Sequence, residues 1–309
     1  MESILQMNQA LAFIKPHVIS SHAARGIISS AFEQNGIKVL FRKRLKGSEI
    51  AAQGLIDRHY AANARAGICR DPAILPVSHA AQQTFRDFFG AEWSRVVADG
   101  RVVSGLVMQE RQAVSGEKLN ELWNSHKFKK LAGGLYVSYF DDQGVYVING
   151  FYPSMREIFT AAEAEIELLV LEFDEAKLPW QSFRDDIIGS TNPAQAAANS
   201  IRGCLFSLQR ELGIAITYRE NAIHASASAF EGLIEKLLWL PEWPLAEEPL
   251  WQELLPYNLS SDKLFAWQME NRLVTIADRT ASLLDMLENR GTAETATIMR
   301  QLLDDKVLS

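Results

Sequence analysis

The order of elements predicts an α+β fold, an antiparallel sheet covered by helices. Three observations carry that expectation. An apolar strand near the N-terminus is followed by an amphipathic helix and then an alternating strand. A second strongly apolar strand falls at 166–173. A helix over 228–240 is announced by the capping box Ser228-Ala-Phe-Glu231. At 309 residues the chain is about twice a typical ~150-residue domain and can bury a core without staples.

Taken in order, residues 10–15 read as a short buried strand closed by Pro16, which cannot donate to a ladder. Ala24, Ile27, Ile28, Ala31 and Phe32 recur at helical spacing over 22–35, with Gly36 as the C′ residue. Residues 37–45 alternate as a second strand, and 48–60 read as a helix. From 61 to 148 the texture changes. Strand candidates at 102–108, 135–140 and 145–148 mix with a helix over 117–131, and Asp141-Asp142-Gln143-Gly144 predicts a hairpin turn. A helix follows at 153–162, then the strand at 166–173, a turn at Asn192-Pro193 in a loop-rich stretch, and a short strand at 214–218. Beyond Pro244 a long amphipathic helix is expected over 261–288, with Leu264, Trp267, Leu273, Ile276, Leu283, Leu284 and Leu287 as its apolar stripe, then a shorter one over 292–305.

Composition narrows the function classes. Hydrophobic residues make up 48% and charged residues 22%, which excludes a disordered chain. The net charge of −7 and the lack of a long basic block argue against nucleic-acid or membrane-surface partners. Cys69 and Cys204 are too few for a disulfide framework or a four-cysteine zinc site; they read as isolated buried thiols, a single bridge being the alternative. Residues 1–6 lack a signal-peptide pattern and no apolar run approaches about 18 residues, so a soluble cytoplasmic protein is expected. His79 and His126 have no metal-ligand spacing and read as surface residues. The cluster Lys127-Phe-Lys-Lys130 reads as a solvated helix face.

The informative segment is 218–228. His224 stands one short turn before the capped helix, where unpaired N–H groups favour a phosphate. A neutral imidazole is a nucleophile that can take up a phosphoryl group and release it. A packed histidine without function is the alternative that the residues alone leave open. Asn221-Ala-Ile-His224-Ala-Ser226, with Glu235 eleven residues past the histidine and Leu238-Trp239 at the helix end, resembles the active-site motif of nucleoside diphosphate kinases. Gly189-Ser-Thr191-Asn192-Pro193, with Arg202-Gly203 eleven residues past the threonine, is similar to that family's Gly-x-Thr-Asn-Pro and Ile-Arg-Gly blocks. Phe13-Ile-Lys15-Pro16, His59-Tyr60 and Phe151-Tyr152-Pro153 resemble further blocks in family order.

The resemblance implies a ferredoxin-like sheet in a discontinuous core, 1–60 with 149–240, interrupted by an insertion at 61–148 and extended by a helical tail at 241–309. It implies an ATP-dependent phosphotransferase in which His224 accepts the phosphate and Glu235 holds its ring. Lys15, Thr191 and Arg202 would contact phosphates, with Tyr60 near the transferring group. Asn221 and Lys15 would hold the ribose, Phe151 would stack on the base, and Ser226 would lie beside the histidine. Mg²⁺ would enter with the nucleotide phosphates, and the acceptor would be a nucleoside diphosphate or a related phosphorylated molecule. The chain is expected to form a dimer or another small homo-oligomer rather than the family's hexamer. On the residues alone, Lys15 reads equally as a solvated lysine, Arg202 as a salt-bridge partner, Tyr60 and Phe151 as core aromatics, and Glu231 with Glu235 as a solvated face.

The departures are specific. His17 follows Lys15-Pro16 where the family has aspartate. The family arginine before Gly189 falls on Asp185, with Arg184 one position off. His-Gly-Ser-Asp becomes His224-Ala-Ser-Ala227, which loses a carboxylate. These departures motivate a reading from another class, a nucleotide-binding sensor or scaffold without turnover.

Overall fold

The computed structural model describes residues 7–308, so the stretch read for a leader, 1–6, lies outside the described residues. The chain divides into two compact units, Met1–Lys46 with Glu165–Ser309, and Gly47–Ala164.

The first unit holds a four-stranded sheet of β1 (Met7–Ile14), β2 (Lys38–Lys46), β3 (Glu165–Asp174) and β4 (Ile223–Ala225). Their order across the sheet is β2-β3-β1-β4, and every neighbouring pair is antiparallel. This is the α+β, ferredoxin-like arrangement expected. β1 lies inside the sheet and is buried from Asn8 to Ile14, which suits its unbroken apolar run. β2 lies at an edge and carries Lys38, Arg42, Arg44 and Lys46. Arg44 meets Glu165 of β3 at 2.9 Å. Charges along an edge deter pairing with other chains.

Helix α1 (His22–Gln34) is capped by the Ser21 hydroxyl, which accepts the Ala24 N–H, and it buries Ala24, Ile28 and Phe32. Gly36 has φ 67°, as a C′ residue requires. Helix α2 (Ile201–Leu212) occupies part of the stretch expected as loop. Its signals are Ser200, whose hydroxyl accepts the Gly203 N–H, and Gly213 at φ 63°. No strand forms at 214–218; the last strand of this sheet is β4, around His224. Helix α3 (Ala229–Trp239) begins at the predicted cap, Ser228 accepting the Glu231 N–H at 3.2 Å. The Glu231 carboxylate takes the Ala227 N–H (3.1 Å) instead of that of the cap residue. α3 lies so close on β1 that a Cβ at Gly232 would come 2.7 Å from the Gln9 carbonyl.

The tail joins the same core. Leu250, Trp267 and Met299 cluster with Ala10, Leu171 and Phe230. The helix expected over 261–288 is instead a helix Ser261–Glu270, a hairpin of Leu273–Ile276 with Arg279–Ser282, and a helix Leu283–Leu287. Asn271, at φ 39°, ends the first helix, and the β-branched run Val274-Thr275-Ile276 favours a strand. Leu273, placed in the apolar stripe, is 73% exposed. The shorter helix is Thr292–Asp304. Cys204 is partly exposed rather than buried, and both cysteines are free.

The second unit has its own sheet of Val102–Ser104, Val145–Ile148, Leu135–Phe140 and Phe128–Ala132, in that order across it. The hairpin at 141–144 forms as predicted. The strand expected at 102–108 stops at Ser104, whose hydroxyl caps a helix Gly105–Gln112. The helix expected over 117–131 ends at Ser125, so Lys129 and Lys130 lie on a strand, not a helix face. His126 is half-buried and stacked on Phe140, ring centroids 4.3 Å apart, rather than a surface residue. The unit is wider than the segment 61–148. Asp57 accepts the Tyr152 hydroxyl at 2.7 Å and Arg156 Nε at 3.0 Å, which joins the flanking helices to it. The expected helix over 48–60 is broken in two at Gly54, φ 59°.

Lys236 of α3 is fully buried. Its ammonium donates to the Gln9 carbonyl at 3.0 Å and pairs with buried Glu248, anchoring the tail to β1. Burial works against both charges while each partner supports the other. Lys236→Met strands the carboxylate and should cost about 3–5 kcal/mol, whereas Lys236→Met with Glu248→Leu should recover most of that. Equilibrium urea denaturation decides: a double variant no more stable than the single one would refute this account.

Candidate functional site

His224 faces Phe13 across the β1–β4 pair, and the two rings stack with centroids 4.6 Å apart at 23°. About 18% of the histidine side chain is exposed. Its Nε2 lies 3.0 and 3.2 Å from the two carboxylate oxygens of buried Glu235. Glu235 also receives the Ser226 hydroxyl at 2.5 Å, and that hydroxyl accepts the Leu11 N–H at 3.0 Å. The chain of donors therefore runs from the β1 backbone through Ser226 to Glu235, and Glu235 takes the remaining proton from His224. That order assigns the proton to Nε2 and makes Nδ1 the acceptor nitrogen of the ring. Burial, then Lys15, Arg202 and Arg184, push the imidazole pKa well below its usual value. The ring is neutral at neutral pH.

The backbone before His224 is held just as closely. Ala222 has φ 72°, in the region that favours glycine, and the Ile223 N–H donates to the Asn221 carbonyl at 2.9 Å. This is a γ-turn of the rarer, strained kind. Three buried Arg202 donors fix its surroundings. Nε donates to Asn221 O (3.2 Å), Nη1 to Gly189 O (2.8 Å) and Nη2 to Ile223 O (2.8 Å). Gly189 stands at φ 92°, where a Cβ would meet the Ser200 hydroxyl at 2.3 Å, so only glycine fits.

Lys15 is buried too. Its backbone N–H donates to the Ala222 carbonyl (2.8 Å) and its ammonium to the Arg219 carbonyl (3.0 Å). Burial and the Arg202 charge push its pKa down to about 7, against a smaller upward effect of Glu220. Asn221 donates from Nδ2 to the Thr191 carbonyl at 2.9 Å. Exposed Thr191 lines a cavity of about 400 Å³ with Arg184, Asp185, Gly189 and Ser190. Arg184 Nη1 meets Glu288 Oε1 (2.9 Å) and Asn289 Oδ1 (3.0 Å) of the tail.

Lys15, Arg184, Thr191, Arg202, Asn221, His224, Ser226 and Glu235 thus all belong to the first unit. Lys15 and Glu235 are buried rather than solvated, and three donors of Arg202 go to backbone carbonyls. Tyr60 and Phe151 belong to the second unit, where both are half-buried rather than core. The Tyr60 ring meets His59 edge-on, and Phe151 meets Trp123 and Tyr136 in the same way. Sequence reasoning missed two participants. His17 accepts the Ala222 N–H on Nε2 at 3.2 Å. Glu231 lies beside Glu235, and burial followed by that neighbouring charge pushes its pKa up to about 8.

No protein-family model and no curated protein matches the sequence. The likeness is to solved nucleoside diphosphate kinases. That of Encephalitozoon cuniculi is 15% identical, covering 75% of this chain and 88% of its own, at a TM-score of 0.37. That of Pyrobaculum aerophilum is 19% identical, covering 76% and 97%, at 0.35. That of Borrelia burgdorferi, a transition-state mimic with vanadate and ADP, is 18% identical, covering 79% and 90%, at 0.36. At that level of likeness the chemistry of the site rests on its own geometry. Among the described residues, no helix is long and apolar enough to cross a membrane.

Glu231 gives a pH-dependent stability with a definite sign. Its folded pKa is about 8 against an ordinary 4.5, so between these values the unfolded chain has released a proton that the folded chain keeps. Its contribution is present at low pH and lost as pH rises through that window. Glu231→Gln should therefore gain stability relative to the unaltered protein from about pH 4.5 to 8. Parallel denaturation curves at pH 5 and pH 8 test this; an unchanged difference between the two proteins would show that the carboxyl is not so perturbed.

Proposed function

We propose that this protein is a phosphotransferase that moves the γ-phosphate of ATP, or another nucleoside triphosphate, through a phosphohistidine on His224. The acceptor is a nucleoside diphosphate or a related phosphorylated molecule. The observation that carries the reading is the Ser226–Glu235–His224 chain, which fixes one ring nitrogen as donor and leaves the other as nucleophile. A packed histidine needs no buried carboxylate to set its tautomer.

In the first half-reaction the Nδ1 lone pair attacks the γ-phosphorus and the bond to the β-phosphate oxygen breaks. The nucleoside diphosphate leaves with that electron pair. In the second, a terminal phosphate oxygen of the acceptor attacks the phosphorus, the P–N bond breaks and the lone pair returns to Nδ1. Glu235 stabilises the positive charge the ring acquires, and Lys15 and Arg202 offset the negative charge around the transferring group. Thr191 and Arg184, on the cavity wall, would hold the remaining phosphates. Mg²⁺ would enter with the nucleotide. Asp185 is the carboxylate among the residues lining the cavity, which suits an ion held mainly by phosphate oxygens and water.

One observation favours the second reading, a nucleotide-binding protein without turnover. Three donors of Arg202 go to backbone carbonyls and Arg184 is engaged by Glu288 and Asn289.

Incubation with γ-labelled ATP separates the two. The first reading expects an acid-labile, base-stable label that His224→Asn abolishes while nucleotide binding persists. Binding without label would support the second reading, and a label surviving in His224→Asn would move the phosphate elsewhere. Chasing the isolated phosphoenzyme with a panel of nucleoside diphosphates then defines the acceptor. Discharge by several of them with rates within about tenfold, or about 1.4 kcal/mol, is expected for a broad kinase. Discharge by none would exclude nucleoside diphosphates as acceptors.

A further inference from the structure

His17 is a residue for which the resemblance offers no role, because the family carries an acidic residue there. It sits in the short turn of helix Pro16–Ile19, directly after Lys15, with about 10% of its side chain exposed. Its Nε2 accepts the Ala222 N–H at 3.2 Å, and the Lys15 backbone N–H reaches the Ala222 carbonyl at 2.8 Å. Lys15-Pro16-His17 therefore grips both polar groups of Ala222, whose φ of 72° strains the chain two positions before His224. Without both holds, an alanine relaxes toward negative φ, and the following peptide carries His224 with it.

We propose that His17 is a positioning residue for His224: its imidazole acceptor holds the Ala222 γ-turn and thereby aims Nδ1 of His224 at the incoming phosphate. The proposal rests on the reading of His224 as phosphate acceptor. The job requires an acceptor and excludes a protonated ring, which has no lone pair to offer. Burial, and next the Lys15 charge, push the His17 pKa down to about 4, so the ring stays neutral with its Nε2 lone pair available. Glu220, with an oxygen 4.0 Å from Nδ1, is the carboxylate facing it.

The test compares His17→Leu, which removes the acceptor, with His17→Gln, whose amide oxygen can reach the place of Nε2. The leucine variant should label at least about tenfold more slowly from γ-labelled ATP with nucleotide affinity unchanged, and glutamine should restore most of the rate. A second readout needs no activity. In ¹⁵N-labelled unaltered protein, a scalar coupling across the hydrogen bond should join the Ala222 amide nitrogen to His17 Nε2. The His224 ring ¹⁵N shifts should move in the leucine variant and return in the glutamine one. If the unaltered protein never labels, the phosphotransfer reading fails while the coupling and ring shifts still judge the positioning role. Should the leucine variant not fold, the coupling and the glutamine variant decide. Absence of the coupling, or a leucine variant with unaltered His224 shifts and labelling rate, would overturn the proposal.

Discussion

A guanidinium keeps its charge at any pH a folded protein survives, so burying Arg202 obliges the chain to bring acceptors to it. Three carbonyls answer, from Gly189, Asn221 and Ile223. Much of the site follows from that requirement. The Gly189 carbonyl reaches Arg202 from a residue at φ 92°, a conformation that suits glycine. Asn221 and Ile223 must present their carbonyls from the two sides of one strained residue, which produces the γ-turn and sets the entry into β4. The same charge presses on its neighbours and helps push Lys15 and His224 toward their neutral forms. Arg202 is thus a structural clamp whose field also shapes the chemistry of the histidine.

How much of this was legible in the sequence depends on the range of the interaction. Local signals read well. The Ser228 cap, the C′ glycine at 36, the apolar run of β1 and the hairpin at 141–144 all depend on residues a few positions apart. The apolar stripe over 261–288 misled because spacing alone cannot distinguish a helix from a helix, a hairpin and a second helix. The β-branched run 274–276 and Asn271 were the available signs of the break. Helix α2 was missed although Ser200 and Gly213 mark its ends, since the Asn192-Pro193 turn just before it suggested loop.

His224, Glu235, Ser226, Lys15, Arg202, Asn221 and Thr191 lie in one unit, and Tyr60 and Phe151 in the other. Motif spacing named these residues without their wiring. It could not show that the Arg202 donors face carbonyls, that Ser226 links Glu235 to β1, or that His17 reaches Ala222 from some two hundred positions away in sequence. Partners that distant are chosen by sheet pairing, and β1 pairs with β4 only once the chain has closed. The tail is the clearest case. Its Asn289 N–H donates to the Ala227 carbonyl, and its Arg290 carbonyl accepts from Ala229 at the start of α3. The segment at which the motif lacks its usual carboxylate is therefore completed by residues sixty positions further along, and Arg184 turns toward Glu288 there.

The charge around His224 has a direction that the whole-chain value conceals. The chain is acidic, at −7, yet the cations that act on His224 are Lys15, Arg202 and Arg184. Of the nearby carboxylates, Glu235 is taken by His224 and Ser226, and Glu231 holds its proton at neutral pH. A buried ammonium beside a buried guanidinium carries a standing electrostatic cost, and Lys15, poised near pH 7, records it. An anion arriving between them would remove part of that cost and draw Lys15 back toward its charged form, so it would gain more than its own contacts suggest. A neutral ligand would gain nothing of the kind. The same field discourages a proton on His224 in the resting protein and would favour the transfer of a negatively charged group onto it. These charges and the tautomer are what support the reading proposed for Nδ1 of His224.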